Sequence, residues 1–340
     1  MIMSSKLNKK KIISYKNSCD KATSWLLNFI NSDGSIGPVN ERLYYYRVPW
    51  CLALMGEHTV AQNKLNWITD CMFTSDGEFE GISPRGVFDT RYGSYPLSCL
   101  LIGANLLQNY EIVYPGTTKL LNWQNNVTGG FLNKLDVTSQ DAEEELFPTC
   151  QAGMTLLNLG KIDYAIQAGN WLNNLWSIQP DIEHQLYHVS NSKIGLITNF
   201  SQDDQPLYST KKDEPWQHHF NGGIAAAFLV HLYSATGNKS WIKLARSFQK
   251  FSMTTDICQF QSMQACKSSW GSSLLFMSTK EKKYFDWCIR FGDWYLENQH
   301  NDGHWENTKH WNPKPTLGDN IEITAEFIIH LSNIIKYISA

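Results

Sequence analysis

The chain has 340 residues, 42% of them hydrophobic and 18% charged, with a formal net charge of −3. Such a composition can bury a sizeable core, and its interspersed charges leave neither a basic field for a nucleic-acid backbone nor an acidic tail. No apolar run approaches the ~18–20 residues needed to span a bilayer.

The basic run KLNKKK (6–11) is followed by no apolar segment, so residues 1–16 read as a solvated extension rather than a secretory signal. Residues 17–340 then read as one domain. The first helical segment ends in ATSWLLNFINSDGSIG, with Trp25 followed by Asp33-Gly34. A less charged helix is expected over Arg42–Gly56, then KLNWITDCMFTSDGEFEG with Trp67 and Asp76-Gly77. Tyr95–Gln108 follows, then KLLNWQNNVTGGF with Trp123 and Gly129-Gly130. Next come Pro148–Gly160, which DAEEELFPTCQAG opens, and AGNWLNNLWSIQPD with Trp171 and Pro180. After a long connection the pattern resumes with Gln217–Gly237, then ARSFQKFSMTTD with Phe248 and Asp256. Gln264–Ser278, FGDWYLENQHNDGHW with Trp294 and Asp302-Gly303, and Asn320–Ile338 complete the chain.

Six amphipathic helices, each with an aromatic in its last turns and then a turn-forming break, thus alternate with six smaller, more apolar ones. An apolar helix needs cover on most sides, and an amphipathic one provides it while facing water. Helix pairs of this kind build an open solenoid or a closed ring. The last segment, EITAEFIIHLSNIIKYI, has no polar capping face, which favours closure: an all-α toroid of six helical hairpins, an (α/α)6 barrel. One connection, 179–215, is far longer than the rest. Within it Gln185–Val189 and Gly195–Phe200 alternate like a β-hairpin around a Ser-Asn-Ser turn, a flap over the mouth of the ring.

Eight cysteines (19, 51, 71, 99, 150, 258, 266 and 288) stand singly, with no Cys-x-x-Cys pair. They read as reduced thiols of a cytoplasmic protein. Thirteen Trp, 15 Tyr and 16 Phe suit a protein that lines a cavity with rings.

FGDWYLENQHNDGHW, with Gln299, Gly303 and Trp305, resembles the QW motif of squalene–hopene cyclases and protein prenyltransferase β-subunits, which are α/α toroids. HLYSATGNKSWIKLARSF (231–248) has phrasing common to other (α/α)6 barrels, among them N-acylglucosamine 2-epimerases and unsaturated glucuronyl hydrolases. In the cyclases an Asp-x-Asp-Asp-Thr-Ala motif opens an inner helix, and its middle aspartate protonates the substrate. Aligned on Thr324-Ala325, DNIEITA puts Asn320, Glu322 and Ile323 at the three acids, so the resemblance implies Glu322 as the proton donor. The prenyltransferase resemblance implies zinc on Asp256 and Cys258 with a distant His304 or His310, whereas the reading overall expects no metal and no cofactor.

Read on their own chemistry, Glu322 and Glu326 share a helical face, with His330 a turn further on. His218 and His219 in WQHHFNGG point about 100° apart, so one of them faces inward; His218 and Asn221 share a face, after Trp216. Glu144 or Glu145 could project inward beside Cys150 and Gln151. If the ring closes, Tyr45, Tyr46 and Arg47, then Thr90, Arg91 and Tyr92, and Cys266, Lys267 and Trp270 gather at the same mouth. The leading expectation is acid–base chemistry on an isoprenoid-like small molecule, with Glu322, Glu326, His218, His219 and Glu145 as catalytic groups. Alternatives are a carbohydrate-active toroid, an epimerase, hydrolase or lyase, and a binding toroid without catalysis. The oligomeric state stays open.

Overall fold

The computed structural model describes residues 2–83, 91–135, 141–261, 266–306 and 313–339, with side chains from residue 9 onward. Among the described residues, twelve helices of eight or more residues alternate: α1 (Ile2–Leu27), α2 (Val48–Met55), α3 (His58–Met72), α4 (Ser94–Leu106), α5 (Tyr110–Leu121), α6 (Leu146–Asn158), α7 (Ile162–Ser177), α8 (Phe220–Thr236), α9 (Lys239–Met253), α10 (Cys266–Thr279), α11 (Lys282–Glu297) and α12 (Leu317–Ile338). The even-numbered helices form the inner ring. Each packs on the next, and α12 packs on α2, which closes it. The odd-numbered helices cover it, with α1 lying against α12.

Burial follows the sequence pattern. In α8 every residue from Phe220 to Val230 is buried, as is every residue of α6 from Leu146 to Leu156. In the outer helix α9 only a stripe is covered, Trp241, Leu244, Ala245, Phe248 and Gln249 within it, the spacing of one helical face. The short inner helix α2 ends at Gly56, in the left-handed conformation that glycine allows. Where one helix was expected over Arg42–Gly56, a 3-10 turn (Arg42–Tyr44) precedes α2, because Pro49 fits a helix only in its first turn. The expected boundary after residue 16 falls inside α1. Tyr15 is fully buried against Gly292, and Lys11 pairs with Asp293.

The recurrent turns are the joints of the outer ring. Gly303, after α11, has φ +114, and a Cβ there would lie 2.6 Å from the Lys21 carbonyl oxygen of α1. Gly34 meets Asn63 of α3, Gly77 meets Pro115 of α5, and Gly129 meets Gln167 of α7 in the same way. Each turn therefore rests on the backbone of the next outer helix, and the last wraps round to the first. Gln299 Nε2 donates to the Ser18 and Gly303 carbonyls at 3.0 and 2.7 Å. Trp305 is buried, its indole N–H donating to the Tyr295 carbonyl.

Links from inner to outer helices span two or three residues (56–57, 107–109, 159–161, 237–238, 280–281), whereas links from outer to inner span 12 to 42 (28–47, 73–93, 122–145, 178–219, 254–265, 298–316). All long links therefore lie at the end of the ring where inner helices start. Two small antiparallel sheets stand there. In one, β1 (Glu143–Glu145) pairs with β3 (Val189–Asn191), which pairs with β4 (Gly195–Leu196); in the other, β2 (Gln185–Tyr187) pairs with β5 (Ser209–Lys211). The expected hairpin forms with a different register: its first strand is Val189–Asn191, which takes in two residues expected in the turn, the turn falls on 192–194, and the second strand stops at Leu196. Gln185–Tyr187 instead joins Ser209–Lys211. Long-range pairing with the α6 entrance set that register, which no local pattern specifies.

Candidate functional site

Six inner helices start at one end of the ring, and two groups of buried charge lie there. The first joins α2, α4, α10 and α12. Arg47, at the N-cap of α2, donates through Nη1 to Glu322 Oε1 and to Glu326 Oε2 (2.8 Å), and through Nη2 to the Tyr95 hydroxyl (2.5 Å). Tyr46 donates to Glu322 Oε1 at 2.5 Å. Lys267, in the first turn of α10, donates to Glu326 Oε1 at 2.5 Å, and His330 Nε2 lies 3.4 Å from that oxygen. Glu322, Glu326 and His330 fall four apart on α12 and share one face. Gly223 of α8 packs on the Lys267–Ser268 backbone, where a side chain would not fit, and so lets α10 carry Lys267 inward.

Burial favours the neutral acid at Glu326, but Arg47 and Lys267 outweigh it and hold the carboxyl well below the usual carboxylate range. Burial dominates at His330 instead. It pushes the imidazole down to about 4 against the opposing pull of Glu326, so the ring is neutral at pH 7.

The second group joins the starts of α4 and α6 to the 178–219 link. Arg91 Nε donates to Glu145 Oε2 at 2.9 Å, Nη1 lies 3.4 Å from Glu143, and Nη2 donates to the Leu207 carbonyl. Tyr92 donates to Glu145 Oε1, and His188 Nδ1 is 3.5 Å from the same oxygen. Tyr208 donates to Glu143 at 2.7 Å, beneath the Arg91 guanidinium. The His188 and His218 rings are 6.0 Å apart. Burial raises Glu145, yet Arg91 and His188 bring its pKa below the usual value. Burial, reinforced by His188, drives His218 down to about 3.

The two groups border one pair of rings. Phe147 packs 4.4 Å from Tyr95, 5.2 Å from Tyr92 and 5.0 Å from Phe220, and Lys267 lies over both phenylalanines. His218 touches Phe220 from the other side. Around this centre several buried polar atoms have no hydrogen-bond partner: Gln151 Nε2, Trp270 Nε1 and His330 Nδ1. A buried polar group left unpaired costs about 1–3 kcal/mol, and a ligand rich in hydroxyls would satisfy such atoms.

Of the residues singled out in the sequence, Tyr46, Arg47, Lys267, Glu322 and Glu326 come together, as do Arg91, Tyr92, Glu145 and His218. Cys266 is buried beside Glu326 and His330, and Trp270 packs 5.2 Å from His330. Others lie elsewhere. Tyr45 stacks on Trp67 with buried Lys64 over it, which places it between the rings of helices; adjacent side chains in the 42–47 turn point opposite ways. His219 accepts no part in either group: its ring nitrogen lies 3.2 Å from the Glu214 carbonyl and its own carbonyl accepts from Ser252 of α9. Glu144 points to the far face of β1, where Asn125 and Thr128 donate to it, since strand neighbours alternate. Cys150 is buried in α6, its thiol pushed well up by burial alone. Asn221 reaches Thr210, and Trp216, in left-handed backbone (φ +59), donates its N–H to Cys258 Sγ. Asp256 caps the turn that holds Cys258. Among the described residues the groups of three or more convergent metal-ligand side chains are Cys266–Glu326–His330 and His300–His304–Glu306, so Asp256 and Cys258 belong to neither. Thr90 and His310 lie outside the described residues.

Sequence reasoning passed over His188, Tyr95, Phe147 and Tyr208. The alternation of Leu186, His188 and Ser190 along the insertion, all buried, was the signal available for the histidine.

No protein-family model matches the sequence, and no curated protein matches it. Solved structures do. The chain is similar to D-mannose isomerase (TM-score 0.67, 11% identity, 95% of this chain and 97% of that one). It is similar to an inactive variant of the α-1,6-mannanase GH76A of Salegentibacter sp. HEL1_6 in complex with α-1,6-mannotetrose (0.67, 12%, 95% and 99%). A third is the type II terpene cyclase MstE from Scytonema in complex with geranylgeranyl dihydroxybenzoate (0.58, 14%, 97% and 99%). Identities this low establish the α/α toroid and leave the chemistry to the site.

Proposed function

We propose that the chain is a carbohydrate-active enzyme which moves protons on a neutral sugar, as an aldose–ketose isomerase or an epimerase. The observation that carries this reading is a pair of buried imidazoles, His330 lying 3.4 Å from Glu326 beside Lys267 and Arg47, and His218 lying 6.0 Å from His188, which reaches Glu145. A proton next to a carbonyl is acidic only if a base removes it while the carbonyl oxygen is stabilised. Neutral histidine can take that proton. Burial disfavours the imidazolium at both positions, so proton uptake requires the negative charge that develops on the substrate, with Glu326 beside His330 and Glu145 near His218, to lift the imidazole pKa toward the working pH. Lys267, Arg47 and the tyrosine hydroxyls supply donors for the developing enediolate oxygen. Return of the proton to C1, together with transfer of the O2 hydroxyl proton to O1, isomerises the sugar, and return to the opposite face of C2 epimerises it.

Charge supports a neutral substrate. Among the described residues, Arg47, Lys267 and Arg91 face Glu143, Glu145, Glu322 and Glu326, three cations against four carboxyl groups. The similarity to D-mannose isomerase supports aldohexoses as the first substrates to try. Glycoside hydrolysis needs a protonated acid opposite a carboxylate; Glu145 and Glu326 are held on the ionised side, and Glu144, the carboxyl that burial raises, lies on the far face of β1.

The terpenoid reading rests on Glu322 as a proton donor. Arg47 and Tyr46 both donate to that carboxyl, which suits an acceptor. A panel of free aldoses and ketoses, followed by chromatography of the products, tests the proposal. Interconversion of an aldose with its ketose or epimer supports it. Inertness to every sugar alongside turnover of a polyprenyl compound would replace it with the cyclase reading.

A further inference from the structure

Outside the ring, at the seam between α11 and α1, a second constellation stands in the turn HNDGHWE. We infer that His300, His304 and Glu306 form a binding site for a divalent transition metal of the zinc class. The turn brings them together by backbone bonds: His300 N–H donates to the His304 carbonyl at 2.9 Å and Gly303 N–H to the His300 carbonyl at 3.0 Å. The two imidazoles then lie face to face, centroids 4.4 Å apart. Both Nε2 atoms point to one carboxylate, His300 to Glu306 Oε2 at 3.8 Å and His304 to Glu306 Oε1 at 3.9 Å. These separations are too long for hydrogen bonds. Ligands at 2.0–2.2 Å from a tetrahedral zinc lie about 3.3–3.6 Å from each other, so seating an ion requires Glu306 to close by a few tenths of an ångström and the His300 ring to turn out of its stack on His304.

Two further contacts orient the set. Asp302 Oδ1 lies 2.6 Å from His304 Nδ1, the carboxylate–histidine arrangement that fixes the proton on Nδ1 and leaves Nε2 for a metal. Trp25 of α1 stacks on the His304 ring at 4.8 Å and 19°. A metal here would stiffen the turn that joins the last outer helix to the first, where Gln299 meets Ser18 and Gly303 meets Lys21. Two imidazoles and one carboxylate suit zinc, nickel or copper rather than calcium or magnesium, and solvent reaches the site. The buried set Cys266–Glu326–His330 is a poorer host, since Arg47 and Lys267 already engage both Glu326 oxygens.

The test is zinc titration of tag-free, chelator-stripped protein against a competing chromophoric chelator. The expected result is one zinc per chain, with binding weakened at least 100-fold in His300→Ala and in His304→Ala. Asp302→Asn keeps all three ligands and should weaken binding about 10–100-fold. Cys266→Ser should leave it unchanged. Circular dichroism and melting of each variant confirm that the fold is retained, and zinc should raise the melting temperature of the wild type but not of His304→Ala. Absence of stoichiometric binding overturns the proposal. So does binding that survives both histidine variants or that disappears with Cys266→Ser.

Discussion

Arg47→Met tests the charge network most sharply, because one side chain ties α2 to α12 and α4. The methionine keeps much of the apolar stem and removes donors to Glu322, Glu326 and the Tyr95 hydroxyl. All of these groups are buried. Removing one member of a buried pair costs about 3–5 kcal/mol, because the partner charge stays behind. Unfolding entropy of about 2.1 cal/mol/K per residue gives ~0.7 kcal/mol/K for a chain of this length, so the melting temperature should fall by about 4–7 °C. Adding Glu322→Gln should return about 1 kcal/mol or more, the coupling expected of contacting groups. Scanning calorimetry of the four proteins in the cycle at pH 7 measures this. An Arg47→Met protein that melts within 1 °C of wild type, or a cycle with no coupling, would refute the reasoning.

Acid should destabilise the fold in a defined window. Burial lowers the folded pKa of His218 to about 3 and of His330 to about 4, whereas the unfolded chain binds these protons near 6.5. Below 6.5 the unfolded state therefore takes up more protons, and stability is lost as pH falls toward 4. The joint variant His218→Asn/His330→Asn should flatten that slope in denaturant titrations at pH 4.5 and 7; an unchanged slope would contradict it. Gly303→Ala combines positive φ with a clash on Lys21 and should cost about 2–3 kcal/mol, while Gly56→Ala, with open space around it, should cost only about 1 kcal/mol. Equal losses in thermal melts would deny the joint its role. Arg91→Met frees the Leu207 carbonyl, Glu143 and Glu145, and limited proteolysis should then cut faster within 178–219 than in wild type.

The architecture was legible because its signals are local and repeated. An aromatic late in an amphipathic helix, followed by a turn-forming break that is Asp-Gly at three of the joints, marks the outer ring, and the apolar face of Ile321–Ile335 announces a helix with neighbours on most sides. The site was legible in part for the same reason. Inner-helix starts meet at one end of a closed ring, so Arg47, Arg91, Lys267 and Glu322 could be placed there from topology alone. What stayed hidden depends on contacts between distant segments. Glu143–Glu145 looks like an acidic helix entrance, and glutamate is disfavoured in strands, but pairing with Val189–Asn191 makes it β1. That pairing turns Glu144 away, carries Glu145 inward and brings His188 with the insertion. Tyr45 and Tyr46 are indistinguishable in sequence, and only the 3-10 turn sends one to Trp67 and the other to Glu322.

Proton transfer at the carbon beside the carbonyl is the central claim, and incubation of sugars in D2O followed by NMR measures it directly. Wild-type protein should introduce deuterium at C1 or C2 of an aldose–ketose pair, and His330→Asn and His218→Asn should each lose at least about a hundredfold of that rate. An aldose pair that stays unlabelled with folded wild-type protein, or labelling that persists undiminished in both variants, would contradict it.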